Sequence, residues 1–382
     1  MRALMTATVP SMIGQFNMNN IKLLLELGYN VDVACNLKNY SVWSDEKINN
    51  LKNTLDDLNV SIYQVDFERS MFNISSHIKS YKQIKQLMNN RDYDLIHTHT
   101  PISSLITRIA YKNSKLFYKC RMIYTAHGFH FFEGNHFLKN FLFKNIEKFG
   151  AHFTDILITI NSEDYKAAKK FKLKKNGCVQ YVPGIGIDVS AIQKVEPKRA
   201  ELLQELGLDN HVRLLVSVGE LNKNKNHKVV IEALAKLPEK FHYIICGKGD
   251  LKNELIDLAK KYGCRERLHL LDYRKDVVAI VKSCDYFVFP SKREGLSVAL
   301  MEALVSNAVC LASNIRGNTD LIYDKKNGFL FDIDENTSKN IYSIIYEIEN
   351  NGVCFDETTQ KNVLTKIDKK SIEKDMKHIY QM

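Results

Sequence analysis

The sequence predicts an α/β protein made of two domains, each with a parallel sheet covered by helices. Short β-branched or aromatic runs alternate with longer helix-forming stretches along most of the chain, which is typical of parallel βαβ units. The chain has 382 residues, more than one hydrophobic core usually serves, since a domain takes roughly 150 residues. A Pro-Gly turn at 183–184 interrupts the alternation near the middle.

Strands are expected where short apolar runs are bounded by turn residues. In the first half these runs are 4–9, 31–35, 61–65, 95–98, 122–126 and 156–160. In the second half they are 213–218, 241–246, 268–271, 286–289, 309–312 and 328–330. Helices are expected between them, for example at 20–27, 74–89, 105–113, 138–149, 228–237 and 252–262.

The join between the domains is expected within 181–188, around the Pro-Gly turn. This divides the chain into residues 1–185 and 186–370. The remaining stretch, 371–382, is rich in lysine and predicts an amphipathic helix.

The composition is that of an ordinary globular protein, with 45% hydrophobic and 26% charged residues. No apolar run approaches the roughly 20 residues that cross a bilayer. Residues 1–10 lack the apolar core of a signal peptide, so we expect a cytoplasmic protein. The eight cysteines are scattered without a Cys-x-x-Cys pair, which favours reduced core residues over zinc ligands.

Positive charge is concentrated in the first half of the chain. Residues 1–185 hold 24 Lys and Arg against 15 Asp and Glu, a net charge of +9, and the remainder holds 30 against 29, a net charge of +1. A basic half indicates an acidic partner: nucleic acid, anionic lipid headgroups or a pyrophosphate-linked substrate. A basic surface that is merely soluble is the alternative.

The segment 290–304 is the leading candidate site. The strand at 286–289 precedes a polar turn and then a helix rich in Ala, Leu and Met. Glu294 is expected in the turn or first helical turn, and Glu302 lies eight residues on, a little over two turns. Both carboxylates could then serve one ligand, while N–H groups at 294–297 suit a phosphate. Two solvated surface glutamates are the alternative.

Two features of the first half follow strands. The loop at 8–15 is not a GxGxxG fingerprint, which argues against a nicotinamide or flavin cofactor, although Gly14 could let the backbone approach a ligand. His97 and His99 lie on one side of a strand near its carboxyl end, where open α/β sheets bind ligands. No third metal ligand is evident nearby, so we favour an acceptor-side or structural role for both.

The tract 123–134 is the strongest signal in the first half. A strand ends in Ala-His-Gly, and Gly128 allows a sharp turn there. His127 then suits an active-site imidazole, and the aromatic residues from Phe129 onward suit an apolar platform for a sugar or a lipid tail. A structural histidine is the alternative; it is favoured for His130 and His136.

The second half places further candidates after its strands. They are Gly219, Lys223 and Lys225 after 213–218, Gly247 and Gly249 after 241–246, and Tyr273 and Arg274 after 268–271. Alone, each loop could simply be solvated.

In order and spacing, the Ala-His-Gly tract and the glutamate pair resemble the retaining glycosyltransferases of family 4. Within the family, the resemblance is to enzymes that extend capsular and exopolysaccharide repeat units, and it covers nearly all of residues 1–335. It implies the GT-B fold, in which two Rossmann-like parallel-sheet domains face each other across a cleft. The first domain would bind the acceptor, the second the nucleotide-sugar, and the helix at 371–382 would pack back on the first.

The resemblance also implies roles for individual residues. Glu294 would contact the donor sugar, Glu302 the ribose, His127 the donor sugar from the other domain, and Lys225 the diphosphate. His127, Glu294 and Lys225 would be the catalytic residues. The donor-binding residues would be Gly14, Gly219, Lys223, Gly247, Gly249, Tyr273, Arg274, Gly295, Leu296, Ser297 and Glu302. The acceptor-side residues would be His97, His99, Phe129 and His130.

The sequence departs from the family at Glu220, where an arginine usually follows the glycine and faces the diphosphate. A carboxylate there would repel phosphate, so Lys223 is expected to supply part of the positive charge.

The expected function is retaining, metal-independent transfer from a nucleotide-diphosphate sugar, most simply a UDP-sugar, to a polyprenyl-diphosphate-linked saccharide. Neither a cofactor nor a metal is expected. The enzyme would be peripheral at the inner face of the plasma membrane, through basic residues such as Lys166, Lys169 and Lys170. One alternative is a UDP-sugar epimerase of related fold. The other is a nucleic-acid-binding protein, suggested by the pI of about 9.0 but without a recognition module.

Overall fold

The computed structural model describes residues 1–38 and 43–382. By their contacts, these residues form two compact units. The first unit consists of Met1–Ile185 and Ile372–Met382, and the second is Gly186–Ser371.

The first unit is a parallel sheet with helices between successive strands. Its seven-stranded sheet has the order β3-β2-β1-β4-β5-β6-β7, and every neighbouring pair is parallel. The strands are β1 (Arg2–Thr6), β2 (Asn30–Cys35), β3 (Ser61–Gln64), β4 (Leu95–His99), β5 (Arg121–Ala126), β6 (Ile156–Thr159) and β7 (Cys178–Tyr181). The helices are α1 (Pro10–Phe16), α2 (Met18–Glu26), α3 (Asp45–Asp57), α4 (Ile74–Asn90), α5 (Pro101–Lys112), α6 (Phe137–Ala151) and α7 (Ser162–Ala168).

The second unit repeats this architecture with six parallel strands in the order β10-β9-β8-β11-β12-β13. The strands are β8 (Arg213–Val218), β9 (Phe241–Cys246), β10 (Leu268–Leu270), β11 (Tyr286–Phe289), β12 (Val309–Ser313) and β13 (Phe329–Phe331). The helices are α8 (Val189–Gln193), α9 (Arg199–Leu206), α10 (Lys228–Leu234), α11 (Lys252–Lys261), α12 (Val277–Ser283), α13 (Val298–Val305), α14 (Thr337–Asn351) and α15 (Glu357–Ile367), with a short 3₁₀ helix at Arg265–Arg267.

The last helix, α16 (Lys369–Gln381), ends in the first unit. Its inner face carries Ile372, Met376, Ile379 and Tyr380, which are buried in the same hydrophobic cluster as the side chains of β1 and β2. The amphipathic helix predicted at the end of the sequence is therefore present, and it supplies part of the first unit's core.

Both sheets reverse their strand order at an internal pair of strands. In the first unit β4 lies beside β1, and in the second β11 lies beside β8, after the chain has crossed back over the sheet. Loops that leave the carboxyl ends of such a pair diverge and open a crevice, the usual ligand site of open α/β sheets. The predicted pair of Rossmann-like parallel-sheet domains is thus confirmed, and the fold places candidate sites after β1, β4, β8 and β11.

Several elements differ from the prediction, and helix α5, for example, begins at Pro101 rather than at residue 105. The first strand ends at Thr6 rather than Val9, because Val9 is the extended residue that precedes α1 and Pro10 occupies the first turn of that helix. Strand β7 was not predicted; its residues are only half-buried, which weakens the apolar pattern. Helix α10 ends at Leu234, three residues before the predicted end.

All eight cysteines are free thiols, and five are buried, as the sequence predicts for core residues. Cys178 and Cys284 are half-buried, and Cys354 is exposed. No helix within the described ranges is long and apolar enough to cross a membrane.

Candidate active site

The centre of the second unit's site is an ion pair between the loops that follow β8 and β11. Lys225 Nζ lies 2.7 Å from Glu294 Oε1, and their side chains are only 19% and 14% exposed. The ammonium group also lies 4.6 Å from the centre of the Phe289 ring. Because β8 and β11 are neighbours in the sheet, residues 69 positions apart meet at the carboxyl edge of the two strands.

The loop after β8 is shaped so that Lys225 can reach this point. Asn222 Oδ1 accepts hydrogen bonds from the backbone N–H groups of Asn224 and Lys225, both at 2.9 Å. Gly219 has φ = +154°, and a Cβ there would lie 3.1 Å from Cε of Lys225. Glycine at 219 therefore gives both the backbone conformation and the space over which the lysine side chain packs.

Gly247 and Gly249 have a related structural role. Gly219 N–H donates to the Cys246 carbonyl at 3.0 Å, and Leu221 N–H donates to the Lys248 carbonyl at 2.9 Å. A Cβ at Gly247 would collide with the Gly219 carbonyl, and one at Gly249 with backbone atoms of Leu221. The two glycines thus let the loops after β8 and β9 lie against each other.

Glu294 lies in the turn before the helix, one of the two places that the sequence left open, and Glu302 lies within the helix. Helix α13 begins only at Val298, and Glu294 lies in the preceding loop with Gly295 and Leu296. Ser297 caps the helix, and its Oγ accepts from the Leu300 N–H at 3.4 Å. The N–H groups at 294–297 therefore belong to the loop rather than to the first helical turn, which lies just beyond them. Glu302 is half-buried within the helix, where burial raises the pKa of its carboxyl group.

Arg316 is a site residue that the sequence reasoning missed. It follows β12, the neighbour of β11, and is 8% exposed. Its Nε–H donates to the Glu294 carbonyl at 3.1 Å. The next residue, Gly317, has φ = +82°, and a Cβ there would collide with the Gly295 carbonyl. The β12 loop therefore supports the backbone that carries Glu294, and it brings a guanidinium group close to the ion pair.

Glu220 and Lys223 lie at the edge of this arrangement. Both side chains are exposed, and the Glu220 carboxylate accepts from Asn222 Nδ2 at 2.9 Å. Lys223 lines a cavity of about 310 Å³ with residues that include His227 and Leu255. In the described part of the chain, that lining does not include Lys225 or Glu294. Arg316 is a further cation in contact with the loop that carries Glu294.

Arg274 is engaged by neighbouring carboxylates. Its guanidinium group makes two hydrogen bonds of 2.8 Å to Asp276 and one of 2.6 Å to Glu205. The adjacent Tyr273 is 63% exposed. A contact between Arg274 and a nucleotide base would compete with these ion pairs, whereas Tyr273 presents its ring to solvent.

The first unit brings His127 next to His99. His99 Nδ1 lies 3.1 Å from His127 Nε2, and the Phe16 ring lies edge-on to His127 at 6.3 Å. Removal from water lowers the pKa of His127 to about 4, so it is neutral near pH 7. Both histidines line a small cavity of about 30 Å³ after β4 and β5, together with Thr125 and Glu373.

His97 is a structural residue, one of the two roles that the sequence left open. It is 0% exposed, and its ring nitrogens lie 2.8 Å from Tyr380 Oη and 2.8 Å from Thr125 Oγ1. Both ring nitrogens thus have partners within the core. His97 could contact an acceptor substrate only if this region unfolded.

Phe129 does not form an exposed platform, and this part of the prediction is wrong. Its ring is 1% exposed and stacks on Phe131 at 4.8 Å in the core of the first unit. His130 is half-buried and lies edge-on to Phe143 at 5.2 Å, beside an apolar cavity of about 220 Å³.

Gly14 lies inside α1 rather than at the start of a helix. A Cβ there would collide with the Trp43 indole. The absence of a side chain is thus explained by packing against Trp43. Across residues 1–38 and 43–382, no three His, Cys, Asp or Glu side chains are grouped so as to hold a metal ion.

Comparison with known proteins identifies the family. Residues 198–362 match the family model described as glycosyl transferases group 1, and residues 15–161 match the model described as glycosyl transferase 4-like. The chain is 30% identical over 341 residues to the putative glycosyltransferase EpsD of Bacillus subtilis, an alignment that covers 88% of this chain and 85% of EpsD. The chain belongs to the family 4 glycosyltransferases.

One further relative by sequence and one by structure agree with the assignment of this glycosyltransferase to the family. It is 29% identical over 267 residues to an Escherichia coli enzyme named UDP-Gal:alpha-D-GlcNAc-diphosphoundecaprenol alpha-1,3-galactosyltransferase, with 68% of this chain and 67% of that protein covered. Its structure aligns with Anabaena HepE solved with UDP-glucose, at a TM-score of 0.76 and 17% identity over 100% of this chain and 99% of HepE. The fold is thus GT-B, as the sequence predicts.

Proposed function

We propose that this glycosyltransferase moves a sugar from a UDP-sugar, with retention of anomeric configuration, onto a lipid-diphosphate-linked saccharide in the synthesis of a surface polysaccharide. The E. coli relative is named for a UDP-sugar donor and a diphosphoundecaprenol-linked acceptor. HepE was solved with UDP-glucose. These names support the substrate classes, and the chemistry is argued from the residues of this chain.

The observation that carries the proposal is the ion pair of Lys225 and Glu294 at the junction of β8 and β11. An ammonium group has three N–H donors, and the contact with Glu294 uses one of them. The others can donate to oxygens of the β-phosphate while Glu294 accepts from sugar hydroxyl groups. One cation beside one carboxylate therefore suits a sugar joined directly to a diphosphate.

The reaction needs charge stabilisation on the departing diphosphate. In front-side transfer, the acceptor hydroxyl oxygen bonds to the anomeric carbon on the face from which the diphosphate leaves. The bond between the anomeric carbon and the β-phosphate oxygen breaks, and the hydroxyl proton passes to that phosphate. The products are UDP and the extended saccharide. Lys225 would stabilise the negative charge that develops on UDP, since a fixed cation in a partly buried site needs little reorganisation.

Arg316 would add to this positive potential, since its guanidinium group is fixed beside the Glu294 backbone. Beside Lys225, Arg316 would take the place of the arginine expected at the position of Glu220. We infer that this set of cations allows transfer without a metal ion or a cofactor.

His127 and Glu302 complete the proposed donor contacts. As a neutral imidazole, His127 can exchange hydrogen bonds with sugar hydroxyl groups without repelling a cation. Glu302 would accept from the ribose hydroxyl groups. Its pKa, raised by burial, makes the carboxylate a stronger hydrogen-bond acceptor once it is ionised.

The test is transfer by the purified protein. It is incubated with UDP-sugars and a short-chain polyprenyl-diphosphate disaccharide, and the products are followed by mass spectrometry, with the new anomeric centre assigned by NMR. We expect the acceptor to gain one hexose-type unit in the same configuration as the donor. An inverted product would contradict retention, and conversion of the UDP-sugar to its epimer without an acceptor would replace transfer by epimerisation.

A further inference from the structure

The outward face of helix α6 is apolar, the reverse of an ordinary surface helix. Phe137 is 76% exposed, Phe141 lies one turn further along the same side and is 65% exposed, and Leu142 beside it is 52% exposed. Away from these side chains, α6 packs on the first unit through Glu147 and Gly150, which are buried. Large apolar side chains grouped on a surface mark an interaction site more often than chance exposure.

The orientation of α6 is fixed by its inner face. Arg108 of α5 lies 3.2 Å from Glu147 of α6, both side chains are buried, and Tyr124 Oη donates to Glu147 at 3.1 Å. Gly150 lies directly against the Arg108 guanidinium group, where a Cβ would come within 2.6 Å. Rotating the helix to hide its phenylalanines would break this buried pair, so the apolar face must point outward.

A second exposed segment continues this face. Phe72 is 93% exposed, and Ile74 and Ile78 of α4 are more than half exposed. Met71 and His77 of this segment line the same apolar cavity of about 220 Å³ as Phe143 and Ile146 of α6. The two exposed segments therefore border one cavity. We call the six side chains of Phe72, Ile74, Ile78, Phe137, Phe141 and Leu142 the docking surface.

The charge around the docking surface is positive. Helix α6 carries Lys139, Lys144 and Lys148, and its one acidic residue, Glu147, is buried in the pair with Arg108. Helix α4 also carries three lysines, of which Lys79 pairs with Asp66, and no acidic residue. Exposed apolar side chains flanked by lysines suit the boundary between anionic headgroups and acyl chains. A protein partner would have to be both apolar and acidic at one surface.

We propose that the docking surface inserts into the interfacial region of an anionic phospholipid bilayer. The proposal rests on the proposed function, because a lipid-linked acceptor is anchored in such a bilayer. Phe72, Phe137 and Phe141 enter the acyl boundary, and the lysines of α4 and α6 contact the headgroups. The apolar cavity between the two segments then opens at the membrane, where it can take part of a lipid chain.

This surface differs from the membrane face expected from the sequence. Lys166, Lys169 and Lys170 follow the acidic residues Glu163 and Asp164 in α7, and Phe171 beside them is buried. That region has positive charge, but the apolar ring of Phe171 is not exposed to insert into a bilayer, whereas the docking surface has both positive charge and exposed apolar side chains.

The experiment is sedimentation of the full chain with vesicles of phosphatidylethanolamine and phosphatidylglycerol in a 2:1 ratio. We expect the variant Phe137→Ser/Phe141→Ser to lose at least about tenfold in partitioning to the vesicles. The reason is that two phenyl groups that would be buried in the bilayer interface are removed. The matched control is Tyr118→Ser, which removes a ring that is 90% exposed but outside the docking surface; it should partition like the wild type. The triple variant Lys166→Gln/Lys169→Gln/Lys170→Gln should lose less than the phenylalanine variant.

Two results would overturn the proposal. One is equal partitioning of wild type and the phenylalanine variant. The other is concentration-dependent dimerisation in vesicle-free solution that the phenylalanine variant abolishes, since the surface would then be covered by a second copy of the chain. Circular dichroism checks that the variants fold.

Transfer to a water-soluble, short-chain acceptor separates this proposal from the proposed function. The phenylalanine variant should match the wild-type rate on that acceptor, because its substitutions lie outside the proposed donor contacts. If the wild type itself transfers no sugar, the proposed function fails, whereas the partitioning result still decides the docking surface.

Discussion

Lys225 and Glu294, from loops after two neighbouring strands, form a 2.7 Å ion pair that is mostly buried. The cation proposed to bind the diphosphate and the carboxylate proposed to bind the sugar therefore hold each other in position. Each residue fixes the other's geometry as well as contacting substrate, so a substitution at either one is expected to disturb both contacts.

Replacing either member of the pair should abolish most transfer. We expect Glu294→Gln and Lys225→Gln each to lower kcat/KM by at least about a hundredfold, because a charge that acts in the transition state is removed. The control is Glu220→Gln, an exposed carboxylate two residues from Asn222, which should stay within a fewfold of wild type. Steady-state kinetics measures kcat/KM for each variant. A wild-type value in Glu294→Gln would contradict the proposed role of Glu294 in the site.

The pairing of His99 with His127 predicts a graded response. His99 Nε2 has no hydrogen-bond partner within the described ranges, so the tautomer that uses its N–H donates from Nδ1 to His127 Nε2, leaving the His127 proton on Nδ1. We expect His127→Ala to cut transfer by about a hundredfold or more and His99→Leu by roughly tenfold. His99→Asn, which keeps a donor near the Nδ1 position, should be less affected than His99→Leu. Equal activity of these two variants would contradict the positioning role of His99.

Arg316 should be sensitive to a conservative change. Lysine keeps the charge but lacks the Nε–H that donates to the Glu294 carbonyl. We therefore expect Arg316→Lys to lower kcat by roughly tenfold with a smaller change in KM for the donor. Arg265, which bonds to the Leu268 carbonyl away from this loop, provides the control variant Arg265→Lys. If Arg316→Lys raises only KM, Arg316 contributes binding rather than positioning.

Transfer should not depend on a divalent cation. The positive charge proposed for the diphosphate comes from Lys225 and Arg316, so we expect EDTA to leave the rate within about twofold of its untreated value. Loss of activity that is restored by Mg²⁺ or Mn²⁺, and not by Na⁺ at equal ionic strength, would contradict this prediction.

Buried neutral histidines should make the protein less stable in mild acid. Burial lowers the pKa of His97 to about 3, whereas an exposed histidine in the unfolded chain titrates near 6.5. Below pH 6.5 the unfolded chain therefore binds a proton that the native state does not. Each such histidine then lowers the free energy of unfolding by about 1.4 kcal/mol per pH unit, and the effect is absent above pH 6.5.

The variant His97→Asn isolates one such group. The stability difference between wild type and this variant, measured by urea unfolding, should be about 2 kcal/mol smaller at pH 5 than at pH 7. A difference independent of pH would mean that His97 titrates alike in both states.

The sequence predicted the architecture well where fully buried segments give clear runs of apolar residues. Strands β8, β9 and β11 have the predicted bounds because glycine or proline ends each apolar run directly after the strand. The half-buried β7 gives no such contrast. The sequence left Glu294 either in the turn or in the first helical turn, although Ser297 is a recognisable cap residue before an apolar helical run and could have placed Glu294 in the turn.

The composition of the candidate site was harder to predict, because it depends on which strands are neighbours. The sequence selected Lys225 and Glu294 separately, but only the order of β8 and β11 in the sheet shows that they touch. Arg316 lies in a segment with no local signal beyond its position after a strand. Strand alternation correctly put His97 and His99 on one side of β4, yet it could not reveal that Tyr380, 283 residues away, covers His97.

The strand order of the second unit also bears on how the protein folds. Strands β8, β9 and β10 can assemble in sequence, but β11 must return past them to lie beside β8. Contacts of such long sequence separation tend to form late, because closing the intervening chain costs entropy before the contact is made. The Lys225–Glu294 pair can therefore form only after this return has occurred, so a nascent chain acquires the pair only once β11 has joined β8.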